Sequence, residues 1–399
     1  MHQDKLSIVV IGGGYAGTVA AIRAAGRGRG RVEVTLVDPK DDLVQRLRLH
    51  SAAVGHKVAA HDLRKLTGRK VRNVKAAVHE VDVDRAVVRA SGSDGRHELA
   101  YDRLVIATGS VVDQWSVLGV AAHAHNVGDQ ASAARLGAAL RGVADAPVSV
   151  VGGGLTGIEA AAEIAEARPD LAVRIITCGA FADWLHPTAA QELRSRLGRL
   201  GVEVIDGVVV EEIAPGTVIL GNGAYLPSSL TVWCGGFTAG ALATDSGLDC
   251  TDRGCVRVDE TMRSLSHPEV YAVGDAGAPG ILPNGSAYRM TCQAGMPTAA
   301  HAADNIVAEA RGREPRPIDF GWIHQQISLG RRDAVIQWVD RADRPKPHVT
   351  AGRRAAVLKE LVTRSAVSAI KLERRVPGSL RWRSGGERVV ERVEARSAA

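Results

Sequence analysis

A chain of 399 residues, 45% of them hydrophobic and 24% charged, has the length for two or three domains and the composition of an ordinary globular protein, which excludes a disordered or fibrous one. Its five cysteines, Cys178, Cys234, Cys250, Cys255 and Cys292, are odd in number and scattered, a pattern that fits reduced thiols rather than a disulfide framework. The net charge of +6 is uneven, because residues 311–399 carry 20 Lys and Arg against 10 Asp and Glu while the remainder carries 30 against 34.

The first residues run directly into an apolar strand, so no secretory signal is expected, and charge or glycine interrupts each apolar run before it could span a membrane. Together these point to a cytoplasmic protein. Residues 7–38, SIVVIGGGYAGTVAAIRAAGRGRGRVEVTLVD, read as strand, glycine-rich turn, helix and strand. Gly12, Gly14 and Gly17 sit where a dinucleotide pyrophosphate needs a tight turn, close backbone approach and close helix packing. The helix that opens at Tyr15 and Ala16 would offer its free N–H groups to the phosphates, and Asp38, at the end of the next strand, can accept from two ribose hydroxyls.

QRLRLH, residues 45–50, alternates charge with leucine, and on a strand it would place Arg46, Arg48 and His50 on one face. Arg46 is a candidate cofactor contact; a solvated face is the alternative. Residues 74–90 read as an antiparallel hairpin laid on the main sheet, and YDRLVIATGS as a buried strand ending in Thr108 and Gly109. A second strand-turn-helix unit follows, VVGGGLTGIEAAAEIAEARPDLAVRIITCG, with Gly152, Gly154 and Gly157 as its fingerprint and Leu155 and Thr156 opening its helix. Its second strand ends in Thr177 rather than an acid. On that helix Glu159 and Glu163 lie four residues apart.

Hairpin-like segments and the strand LTVWCGG close this half, so one architecture is used twice. GLDCTDRGCVRVDE reads as a hairpin turn, which leaves Cys250 and Cys255 as ordinary thiols rather than a redox dithiol. EVYAVGDAG is a further buried strand running into the Gly274–Asp275 turn, and a helix begins near Cys292 and Gln293. Pro315 and Pro317 mark a boundary before the basic tail. There the spacing predicts a helix over 353–376, with Val357, Leu358, Leu361, Val362, Ala369, Leu372 and Val376 on one side. No metal-ligand spacing is evident.

The two glycine fingerprints, with LVIATG and VYAVGD in this order, resemble the two-dinucleotide-binding-domain flavoproteins of the pyridine nucleotide-disulfide oxidoreductase superfamily, within it the type II NADH dehydrogenase and apoptosis-inducing-factor-like branch. The resemblance covers residues 7 to about 310. It implies an α/β fold of two Rossmann-like, doubly wound three-layer domains: a first FAD segment over 1–112, an NAD(P)H domain over 113–245, a second FAD segment over 246–310 and a basic region over 311–399. It places FAD on Gly12, Gly14, Tyr15, Ala16, Gly17, Asp38, Arg46, Thr108, Gly109, Gly274, Asp275 and Cys292, with Asp275 on the ribityl chain. NAD(P)H falls on Gly152, Gly154, Leu155, Thr156, Gly157 and Thr177.

Glu159 matches the family's acid near the nicotinamide and flavin, and Gln293 matches one of the two glutamines that line the quinone site of type II dehydrogenases. A capping or packing role is the alternative for Gln293, and Glu163 reads as a packing contact. The implied activity is hydride transfer from NAD(P)H to flavin and on to a quinone-like or other small organic acceptor, without a disulfide. A flavin-dependent tailoring enzyme and an FAD-holding binding protein are the alternatives. Nucleic acid is not an expected partner. The basic helix has two readings, peripheral contact with the inner face of a membrane or packing on the enzyme or a second subunit.

Overall fold

The computed structural model describes residues 5–278, 280 and 288–383. The first sheet begins with Leu6–Ile11, whose IVVI run is buried on both faces as a central parallel strand requires. Its neighbours are Val32–Asp38 on one side and Arg103–Ile106 on the other, both parallel to it. Beyond them lie Val71–Asp82 and, returning from far along the chain, Val270–Ala272, also parallel. Val87–Gly92 and Gly95–Ala100 extend the sheet as the expected hairpin plus one more antiparallel strand. The chain therefore leaves this sheet and comes back to finish it.

In between, a second parallel sheet runs in the order Ala124–His125, Leu230–Trp233, Pro147–Val151, Ala172–Ile176, Glu203–Ile205, with a three-stranded antiparallel sheet over 210–227 beside it. In both parallel sheets the central strand is flanked by crossovers to opposite sides. This opens a crevice at the strands' carboxyl ends, where ligands of such sheets bind. The helix Tyr15–Gly28 packs against Cys292–Glu309 over the first sheet, and alanines on both let the two backbones approach closely. After Glu309 the chain forms the antiparallel sheet His324–Ser328, Ala334–Val339, Pro345–Ala351 and then the helix Arg353–Arg375.

Two expectations are corrected. QRLRLH is not a strand: Arg46–Arg48 is a 3-10 turn that runs into the helix Leu49–Ala53. Leu49 and Ala53, one helical turn apart, are both buried with Ala133 and Leu136 of the helix Gln130–Arg141, and three alternations are too few to fix a period against such packing. The tail helix forms where the spacing places it, but turns a different face inward. It buries Ala355, Val367, Ile370 and Glu373, and leaves Val357, Leu361, Leu372 and Val376 between 51% and 59% exposed. The cause is Glu373, which is fully buried beside the Arg23 guanidinium at 3.3 Å and accepts from the N–H groups of Gly378 and Leu380 at 2.6 Å each. A satisfied ion pair has taken the place a leucine would have held.

Candidate active site

The first glycine turn follows Ile11. Gly12 has φ +104°, and a Cβ there would collide with the Ala107 carbonyl, while one on Gly17 would collide with the Gly12 carbonyl. Those two glycines close the turn and seat the helix. Gly14 faces open space, so its side is where a ligand can lie against the backbone. Gly14 caps the helix Tyr15–Gly28 with no side-chain acceptor, so the first-turn N–H groups have no cap. Asp38 is held at the crevice by N–H donors from Gly13 at 2.6 Å and Lys40 at 2.8 Å, which aim its carboxylate and leave lone pairs for a ribose.

The second turn repeats the design. Gly152 has φ +121° and a Cβ there would strike the Cys234 carbonyl; Gly157 would strike Gly152; Gly154 faces open space and caps Leu155–Ala167. In front of it lies a cavity of about 1000 Å3, lined by Gly152 to Thr156, Thr177, Cys178 and Val208 to Val210 on one side and by Gly274 and Asp275 on the other. A second cavity of about 340 Å3 lies over the first turn, and Gly14, Tyr15, Ala16, Arg46, Gly109, Cys292 and Gln293 line it. Leu155, Thr156, Phe237, Gly274 and Asp275 line both. The two crevices therefore meet at the Gly274 turn.

A network ties the Asp275 carboxylate to the first segment. Ser110 Oγ donates to Asp275 Oδ2 at 2.7 Å, and Arg46 Nη1 donates to the Ser110 carbonyl at 2.9 Å while its guanidinium lies 5.8 Å over Phe237. Gly274, at φ +64°, sits where an added Cβ would come within 3.0 Å of Ala16 Cβ, and its N–H donates to Thr298 Oγ1 at 3.1 Å. The helix Cys292–Glu309 begins at this point, with no side-chain cap from Thr291. Burial pushes the Cys292 thiol up to about 11, with the Asp275 charge adding to the effect. The Tyr15 hydroxyl is buried without a hydrogen-bond partner among the described residues, and burial likewise raises its pKa. A small-residue cradle, an aimed carboxylate at each end and an unpartnered hydroxyl fit an extended adenine dinucleotide with a planar ring system in the smaller cavity.

The far wall of that cavity is charged. Glu159 Oε1 is paired with Lys359 Nζ of the terminal helix and accepts from the Ser328 N–H at 3.0 Å, while Oε2 lies 3.7 Å from His50 Nδ1. Lys359 also donates to the Gln326 carbonyl at 3.2 Å. Burial alone would push the Glu159 carboxyl up, but the Lys359 ammonium and then His50 outweigh it and hold the carboxyl below the ordinary carboxylate value. Burial pushes the His50 imidazole down. With its amide oriented so that oxygen meets a donor and nitrogen an acceptor, Gln293 donates to the His324 carbonyl at 3.0 Å and accepts from the Ile323 N–H at 3.1 Å, which pins the third sheet to the helix Cys292–Glu309.

Most of the sequence-read residues line one cavity or the other, but Gly12, Gly17, Asp38, Thr108 and Gly157 line neither, and Thr108 is exposed. Glu163 is buried beside His50 and His56. Sequence reasoning missed Lys359, Ser110 and the strand carrying Gln326. Lys359 sits 200 residues from its partner Glu159, on what reads as the helix's solvated side, so no local signal marks it.

The family model described as pyridine nucleotide-disulphide oxidoreductase matches residues 6–304. An "NADH dehydrogenase-like protein" of Mycobacterium tuberculosis is 30% identical over 353 residues, spanning 82% of this chain and 86% of its own. A "type II NADH:quinone oxidoreductase" of Staphylococcus epidermidis is 26% identical over 404 residues, 92% of this chain and 96% of its own. Among solved structures, NDH2 of Plasmodium falciparum in complex with NADH superposes with a TM-score of 0.78 at 14% identity, covering 94% of this chain and 99% of that one.

Proposed function

The chain belongs to the pyridine nucleotide-disulphide oxidoreductase family, and on that premise we propose that it is an FAD-dependent NAD(P)H oxidoreductase that reduces a quinone-like acceptor without a redox disulfide. The observation that carries this reading is the meeting of the two cavities at Gly274 and Asp275, which lets a dinucleotide on the second turn reach a ring system over the first. In this reading residues 1–112 and 246–310 hold FAD, 113–245 hold NAD(P)H, and 311–399 close the acceptor side. FAD, when bound, supplies a reversible carrier for two electrons.

The chain's own residues position and neutralise. Gly12, Gly14 and Gly17, with the N–H groups of Tyr15 and Ala16 and the Asp38 carboxylate, hold the ADP part, and Asp275, fixed by Ser110 and Arg46, holds the ribityl chain. Gly152, Gly154 and Gly157 take the second pyrophosphate, with Leu155 and Thr156 at the junction and Thr177 at the ribose. The start of the helix Cys292–Glu309 presents its positive end where negative charge accumulates during reduction. Glu159 and Lys359 form an ion pair on the wall of the same cavity, and the pair can hold or release a proton toward an acceptor oxygen. All five cysteines are free, and Cys292 alone among them lines the smaller cavity.

No described helix is long and apolar enough to cross a membrane. The exposed Val357, Leu361, Leu372 and Val376, flanked by Arg364, Lys371, Arg374 and Arg375, suit a peripheral seat on an anionic bilayer. Steady-state oxidation of NADH by a short-chain benzoquinone tests the function. Turnover that requires bound FAD and is lost in Gly14→Val supports it; a flavin-free protein with no turnover refutes it.

A further inference from the structure

Beyond the Glu159–Lys359 pair, the buried charges continue to the surface. Glu163 lies one helical turn after Glu159 on the same face, and only 2% of its surface is exposed. Ser51 Oγ donates to its Oε1 at 2.8 Å, but Oε2 has no hydrogen-bond partner among the described residues. A carboxylate kept only for packing would have both oxygens satisfied, since an unpartnered buried acceptor costs about 1–3 kcal/mol, more when charged. The groups that face it are both imidazoles: His56 Nε2 at 3.8 Å from Oε2 and His50 Nε2 at 4.0 Å from Oε1.

The two ring nitrogens of His50 thus face different carboxylates, Nδ1 toward Glu159 and Nε2 toward Glu163. A neutral imidazole has one donor and one acceptor nitrogen, so it can take a proton on one side and release one on the other. The other charges around His50 are Lys359 and Arg48, the latter engaged by Glu360 at 2.9 Å. At the outer end His56 is 44% exposed.

We propose that His56, Glu163 and His50 form a proton path from solvent to the Glu159–Lys359 pair at the acceptor cavity. The inference rests on the function proposed above. A hydride brings two electrons and one proton, whereas a quinone becomes a quinol by gaining two electrons and two protons, so one proton per turnover must come from water. The Glu159–Lys359 pair gives that proton to the acceptor oxygen and regains one from His50, which is refilled by Glu163, then His56, then water. Each transfer leaves the His50 proton on Nε2, and a turn of the ring returns it to Nδ1 before the next turnover; the other groups end the cycle as they began. The gaps of 3.7–4.0 Å exceed a hydrogen bond by about 1 Å, a distance that side-chain rotation closes. His56, Glu163 and His50 act through the pair and position a proton; they do not touch the acceptor.

The test compares acceptors. A benzoquinone needs the proton, and ferricyanide takes electrons alone. In FAD-loaded protein, Glu163→Gln and His56→Gln should lower NADH-to-benzoquinone kcat about tenfold or more, leave the benzoquinone KM unchanged and keep ferricyanide turnover near the wild-type rate. Added imidazole should restore His56→Gln. Quinone kcat equal to wild type in both variants overturns the path, and so does parallel loss with both acceptors, which marks a structural role. Wild-type protein that reduces neither acceptor overturns the underlying function and the path with it.

Discussion

If Thr177 stands at the adenosine ribose, the second turn should show little preference between NADH and NADPH. Thr177 ends the strand Ala172–Ile176 beside Gly153, where a Cβ would stand 2.7 Å from its hydroxyl, and the lining beside it, Cys178 and Val208 to Val210, brings neither acid nor base. A hydroxyl makes a neutral hydrogen bond to a ribose or phosphate, worth about 1 kcal/mol against about 1.5–3 for a charged partner. NADH and NADPH should therefore have kcat/KM values within about tenfold, and Thr177→Glu should shift the ratio toward NADH by repelling a 2′-phosphate. A wild-type preference beyond about a hundredfold would mean that another segment reads the ribose. His50 makes a pH prediction. Burial holds its pKa below the ordinary 6.5, so the native state resists protonation, and its contribution to stability is full above pH 6.5 and is lost as the pH falls below it. Chemical denaturation across that window should give a shallower acid-side loss for His50→Gln, by at most about 1.4 kcal/mol per pH unit. The glycines and Asp38 were legible because a phosphate cradle is a local pattern; Lys359 and Ser110 were not, because only the closed fold brings them to Glu159 and Asp275.

The helix Arg353–Arg375 shows how an element can be legible in extent and misread in orientation. Periodicity located it, but its buried face is set by Arg23, which lies 350 residues earlier and is also held by Asp304 at 2.7 Å. Glu373→Ala would orphan the Gly378 and Leu380 N–H groups and weaken the hold on that guanidinium. It should cost about 3 kcal/mol or more, read as a lower melting temperature and faster proteolysis of the tail. Leu361 faces the other way and is 59% exposed, so Leu361→Asp should leave the melting temperature nearly unchanged. The same change should abolish sedimentation with anionic phosphatidylglycerol vesicles. Wild-type protein that does not bind such vesicles but is dimeric, with Leu361→Asp monomeric, would assign the stripe to a second copy instead.

The chain as a whole makes one site from distant pieces. The strand Val270–Ala272 returns to the first sheet beside Arg103–Ile106 and delivers the Gly274 turn to the seam between the cavities, and the tail closes the far wall with Lys359. The repeated strand-turn-helix units and the buried strand before Gly274 could be read from apolar runs and glycine spacing, which record local geometry, whereas that strand's return to the first sheet was implied only by the family resemblance. The third sheet's part in the site could not be read, since its contacts to Gln293 and Glu159 are through backbone N–H and carbonyl groups that carry no sequence signature. The central claim is that electrons pass from a dinucleotide on the second turn to a flavin on the first. Anaerobic titration of the purified yellow protein with NADH measures it directly: one equivalent should bleach the flavin absorbance and benzoquinone should restore it, whereas a flavin that stays oxidised under excess NADH and NADPH would contradict the account.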